Sequence, residues 1–144
     1  MKHLFLMISI ALGLMAGSIN YAQPVPTFDN PRKIIIQLNH DGDKVLSGAL
    51  NNITNIMTAY GPEMVTIKVV AFGDGIVILQ EKGNPFYERI KGMMDLGVEF
   101  IACGKTMQTR HLEMKDLIKG VSYVETGLSE VIERQQEGWN YVRP

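Results

Sequence analysis

The chain has 144 residues, with 14 Lys and Arg against 15 Asp and Glu and a formal net charge of −1. Mixed charge and a 46% hydrophobic fraction exclude a disordered polyelectrolyte and leave no concentrated basic face for nucleic acid. The single cysteine excludes an intrachain disulfide, a Cys-x-x-Cys oxidoreductase and a cysteine-based zinc site.

The first residues read as a secretory signal. Lys2 and His3 make a short positive start, Leu4 to Met15 is a nearly unbroken apolar run, and Gly17, Ser18 and Asn20 lead to Ala22. Cleavage is expected after Ala22, which makes 1–22 a signal peptide and predicts a periplasmic or secreted protein with no membrane attachment after cleavage. An uncleaved N-terminal anchor is the alternative. The apolar run is about 12 residues, however, and a spanning helix needs roughly 20. With no cysteine near Ala22, lipid attachment there is excluded. Export implies an oxidising compartment, where a lone cysteine points to intermolecular pairing or a reactive thiol.

Residues 23–32 are rich in proline and polar groups and read as an extended lead-in. Residues 33–144 are then one ordinary domain. Lys33 to Leu38 is a β-branched run ending at Asn39-His40-Asp41-Gly42, a buried strand and a loop. With Asp43 as N-cap, Val45, Leu46, Ala49, Leu50, Ile53, Ile56, Met57 and Tyr60 recur at helical spacing until Gly61-Pro62. Val65 to Phe72 is a second strand, ended by Gly73-Asp74-Gly75. Ile76 to Leu79 fits a helical turn or a strand, with the turn favoured. Asn84-Pro85 opens a helix running to about Leu96, with Gly97 as its cap. Val98 to Ala102 is a third strand ending at Cys103. A weak helix is expected over Leu112 to Ile118, a strand over Val121 to Val124, and a helix over Thr126 to Gln136 with Leu128, Val131 and Ile132 on one face. Trp139 to Val142 is the last strand.

Five strands alternating with helices predict an α/β fold, a mainly parallel sheet with helices on both faces. In such sheets ligands gather at the carboxyl ends of strands, and Cys103 sits at such an end. A free cysteine is otherwise a small buried hydrophobe, so both readings stand. Lys105, Arg110 and His111 are the nearest basic groups in sequence. Gly73-Asp74-Gly75 is either a close-approach loop, with Asp74 orienting a partner group, or an ordinary tight turn. His40 is either a proton shuttle beside the thiol or loop surface. The histidines build no metal site, since His3 lies in the signal and His111 stands alone. The first strand–helix junction lacks Gly-x-Gly-x-x-Gly, and Asp41 and Asp43 would repel a phosphate, so flavin and dinucleotide cofactors are not expected. Trp139 and Tyr141 alternate on the last strand and suit either edge-strand burial or an interface between copies.

Four stretches together resemble the DsrE/DsrF-like family, whose members include sulfur-relay proteins of the TusD kind. They are the first strand with the helix through Ala49 to Ile56, the run Val69 to Gly75, the run Gly97 to Met107, and the ending from Gly127-Leu128 through Gln136 to Pro144. The resemblance implies a flavodoxin-like three-layer sandwich that forms homo-oligomers, often trimers or hexamers. It also implies that the cysteine after the third strand, here Cys103 in Phe100-Ile101-Ala102-Cys103-Gly104, takes up sulfur as a persulfide and hands it to a donor or acceptor protein. His40, Gly73, Asp74, Gly75, Gly104 and Lys105 are the candidate binding residues around it. An export signal departs from the cytoplasmic relay proteins and separates the chain from their usual partners. A non-catalytic binding module with an inert Cys103 is the alternative.

Overall fold

A computed structural model describes residues 25–144. The expected signal peptide, its cleavage site and the start of the lead-in lie outside the described residues. Strands β1 (Arg32–Leu38), β2 (Val65–Ala71), β3 (Glu99–Cys103), β4 (Ser122–Val124) and β5 (Asn140–Val142) form one sheet in the order β4-β3-β2-β1-β5, every pair parallel. The flavodoxin-like α/β architecture expected from the alternation is therefore present.

Strand side chains alternate between faces, and the two faces are covered differently. Ile34, Ile36, Leu38, Ile67, Val69, Ala71, Phe100 and Ala102 point to one face and build the larger core. The helix α1 (Asp43–Tyr60) meets them with Leu46, Ala49, Leu50, Ile53 and Met57, which fall on one stripe of its surface. Ile76, Ile78 and Leu79 from the 3-10 segment Gly73–Leu79 join it, as do Ile90 and Met93 from helix α2 (Tyr87–Asp95) and Met107 from helix α3 (Gly104–Thr109). Burying each large aliphatic side chain contributes about 1.5–3 kcal/mol.

The opposite face holds a smaller cluster of Ile35, Val70, Ile101, Val131 and Trp139, covered by helix α4 (Gly127–Gln136) alone. A chain of charges anchors α4 there. Ser122 Oγ donates to Glu99 at 3.0 Å, Glu99 pairs with Lys68 at 3.0 Å, Lys68 lies 3.7 Å from Glu130, and Glu130 lies 3.0 Å from Arg134 Nε. Both Lys68 and Glu130 are mostly buried, at 20% and 13% side-chain exposure, so their charges are poorly screened.

Several expectations shift. The helix expected over Leu112 to Ile118 is absent. Its place is taken by α3 ahead of it and a 3-10 turn at Met114–Asp116. Leu117 and Ile118 are adjacent and both buried, a pattern no helix face accommodates. They run as extended chain beside Gln80 and Leu79, with Ile118 N–H donating to Leu79 O at 2.9 Å. The helix expected from Pro85 starts at Tyr87, because Asn84 holds the preceding turn. Its side-chain amide donates to Ile78 O at 2.6 Å and Gln80 O at 2.8 Å, and its Oδ1 accepts Phe86 N–H at 2.8 Å. Gly42, not Asp43, is the residue before α1. On α4 only Val131 of the expected apolar trio is buried; Leu128 and Ile132 are exposed. Trp139 precedes β5 and packs under α4, so it is core. Tyr141 is half-exposed, its hydroxyl donating to Gln37 Oε1 at 2.9 Å.

Candidate functional site

Cys103 ends β3 and starts α3. From there the chain passes to α3 on the larger-core face, whereas β4 next door sends its chain to α4 on the other. The carboxyl ends of β3 and β4 are thus a point where the topology switches sides, the position at which open parallel sheets hold their ligands.

The sulfur faces α4. Gly127, the first residue of α4, directs its N–H at Cys103 Sγ over 3.2 Å. That approach requires glycine. A Cβ on Gly127 would lie 3.1 Å from Cys103 Cβ and Val70 Cγ1 and 3.2 Å from Phe72. Cys103 is 5% exposed. Burial is the largest single influence on its acidity and pushes the thiol up. Hydrogen bonding from the Gly127 amide, then the Thr106 hydroxyl and the Thr106 and Lys105 amides, opposes burial and holds the thiol below its ordinary value. Gly127 contributes most among these donors, and Lys105 least, since its N–H is given to Glu125 O at 3.0 Å. A thiolate is the nucleophilic form of cysteine, so the balance favours the reactive species.

The other candidates occupy distinct places. Gly104 is wedged under the β4–α4 loop, where a Cβ would come within 3.1 Å of Val124 O. Lys105 is exposed and pairs with exposed Glu125 at 3.7 Å. Gly73 has φ +54, and its N–H donates to Thr106 Oγ1 at 3.0 Å. Asp74 pairs with Arg110 just beyond α3. The Gly73-Asp74 turn is therefore fastened to α3 at both ends of that helix. Gly75 serves the backbone: a Cβ there would sit 2.4 Å from Leu38 O, so glycine lets this turn pack on the end of β1. His40 lies on the far side. Its Nε2 is 2.9 Å from Arg143 Nη2, and β1 stands two strand spacings from β3, about 9–10 Å.

Thus Gly73, Asp74, Gly104 and Lys105 gather with Cys103 through direct contacts, and His40 belongs to a separate contact with the chain end. Thr106 and Gly127 are the groups that the sequence analysis did not single out. Thr106 carries a weak signal, three residues after a helix-starting cysteine. Gly127 carries none, because its role depends on a contact across 24 residues. Among the described residues no group of three or more His, Cys, Asp or Glu is placed to hold a metal. A cleft of about 580 Å³ lies elsewhere, lined by Gln80, Glu81, Lys82, Leu112, Lys115 and Asp116.

The DsrE/DsrF-like family model matches residues 33–144. Among solved structures, the chain is similar to the protein of unknown function MTH1491 from Methanobacterium thermoautotrophicum. That match has 27% identity and a TM-score of 0.75 and covers 78% of this chain and 99% of that one. The ychN protein from E. coli is similar at 17% identity and a TM-score of 0.62, covering 78% and 97%, a likeness of fold. A search of curated proteins finds no match.

Proposed function

Because the chain belongs to the DsrE/DsrF-like family, we propose that it is a sulfur carrier whose working group is Cys103. The observation that carries this reading is the Gly127 N–H aimed at a buried sulfur whose acidity is raised despite its burial. The Cys103 thiolate attacks the outer sulfur of a donor persulfide, R–S–SH. The donor's S–S bond breaks and R–S⁻ leaves; the new bond joins Cys103 Sγ to the transferred sulfur. An acceptor thiolate then takes the outer sulfur and returns the Cys103 thiolate. The sulfur changes hands with no net oxidant. Exchange with a donor disulfide, R–S–S–R, follows the same geometry and leaves a mixed disulfide.

The same reading places the protein outside the cytoplasm, on the strength of the signal-like residues 1–22. It also makes the protein a homo-oligomer. Support for assembly comes from Tyr123, Leu128 and Ile132, apolar or aromatic side chains 48–62% exposed on β4 and α4. A second reading, an interaction module with an inert thiol, is favoured by the same 5% exposure of Cys103.

Intact mass after incubation with an organic persulfide separates the two. The carrier gains one sulfur atom, lost on reduction and absent in Cys103→Ser. A native protein that gains none, with a thiol alkylated far more slowly than in the unfolded chain, is the inert module.

A further inference from the structure

Thr106 is the third residue of α3, a position whose side chain leans back toward the residue that starts the helix, here Cys103. Its Oγ1 accepts the Gly73 N–H at 3.0 Å. A hydroxyl has one hydrogen and two lone pairs. With a lone pair engaged by Gly73, the hydrogen is left to point at an acceptor, and the sulfur is the acceptor it meets. The Gly127 N–H reaches the same sulfur at 3.2 Å from the α4 side. Donors thus converge from elements on both faces of the sheet. A neutral thiol is only a weak acceptor, whereas an anionic sulfur forms charge-assisted bonds with such donors. The Gly73 amide is also held in place, because Asp74 pairs with Arg110 at the other end of α3. The hydroxyl therefore cannot easily turn its hydrogen toward Gly73 and offer the sulfur a lone pair.

We propose that Thr106 is the positioning residue of the site: fixed as an acceptor by Gly73, it presents its O–H to Cys103 and keeps the sulfur anionic between transfers. This rests on the carrier reading for its purpose, but its effect is on the sulfur's ionisation and is measured without any transfer.

The experiment compares Thr106→Val, which keeps the shape without the hydroxyl, with Thr106→Ser, which keeps the hydroxyl. Native Cys103 is alkylated with iodoacetamide across a pH series, and Gly73 amide exchange is followed alongside. In Thr106→Val the rate at neutral pH falls roughly tenfold, the scale of one hydrogen bond to a charged group, the pH midpoint rises, and the Gly73 amide exchanges faster. Thr106→Ser stays near wild type. If Thr106→Val does not fold, Thr106→Ala is read against Thr106→Ser in the same way. An unmoved midpoint in the hydroxyl-free variant, or an equal shift in Thr106→Ser, overturns the proposal. Sulfur uptake by the wild type is scored separately. No uptake with a hydroxyl-dependent midpoint sinks the carrier reading and leaves Thr106 its role; uptake with an indifferent midpoint does the reverse.

Discussion

At the scale of single residues, Cys103 is decided by a contest between burial, which opposes a thiolate, and donors that favour it. The closest donor, Gly127 N–H, is in place only because position 127 has no side chain. Gly127→Ala puts a methyl 3.1 Å from Cys103 Cβ and from Val70, between packed groups with little room to give. It is expected to cost about 1–3 kcal/mol as an overpacked site and to slow Cys103 alkylation at neutral pH. Urea denaturation and the alkylation rate check the two effects. The lowered acidity constant also ties ionisation to stability. A group whose folded value is depressed adds stability above its unfolded value and loses it as pH falls through the folded one. The advantage of wild type over Cys103→Ala is therefore expected to grow as pH rises from neutral into the alkaline range. Denaturation at a series of pH values reads this directly, and a flat difference contradicts it.

The elements carry the second part of the account. α4 delivers Gly127 to the sulfur, and what orients α4 is the Glu99–Lys68–Glu130–Arg134 chain with Val131 and Trp139 beneath it. Glu130→Ala removes the carboxylate between two cations. It is expected to cost about 1–3 kcal/mol, less than a fully buried pair because the network keeps some solvent contact. Glu133→Ala on the exposed side of the same helix is expected to stay within about 0.5 kcal/mol. Equal losses in the two variants show that the network does not hold the helix. This is also the scale at which sequence and structure part. The strands and α1 were legible because buried strands and amphipathic helices write their period into the chain. α3 was not, since only Met107 of its six residues is buried. Residues 112–118 misled because apolar content without helical spacing belongs to chain laid against a neighbour, as Leu117 and Ile118 are.

For the whole molecule, the sheet order explains both what the sequence could locate and what it could not. Strand count put Cys103 at a carboxyl edge. Only the order β4-β3-β2-β1-β5 reveals that this edge is a switch point, with α4 across it and His40 two strands away. One face bears most of the helices, and the other has α4 with Leu128 and Ile132 turned outward. If copies assemble through that face, Leu128→Ser with Ile132→Ser lowers the mass in sedimentation while the denaturation curve of the separated chain barely moves. An unchanged mass directs the interface elsewhere.

The most direct test of the central claim follows sulfur uptake by native protein from a persulfide donor across pH, beside the same chain unfolded. The account predicts that Cys103 takes up one sulfur in the native state, with a rate that levels off at a lower pH than in the unfolded chain. Uptake by the unfolded chain alone, or a native midpoint above the unfolded one, would mean that burial wins at Cys103 and that the fold protects the thiol instead of activating it.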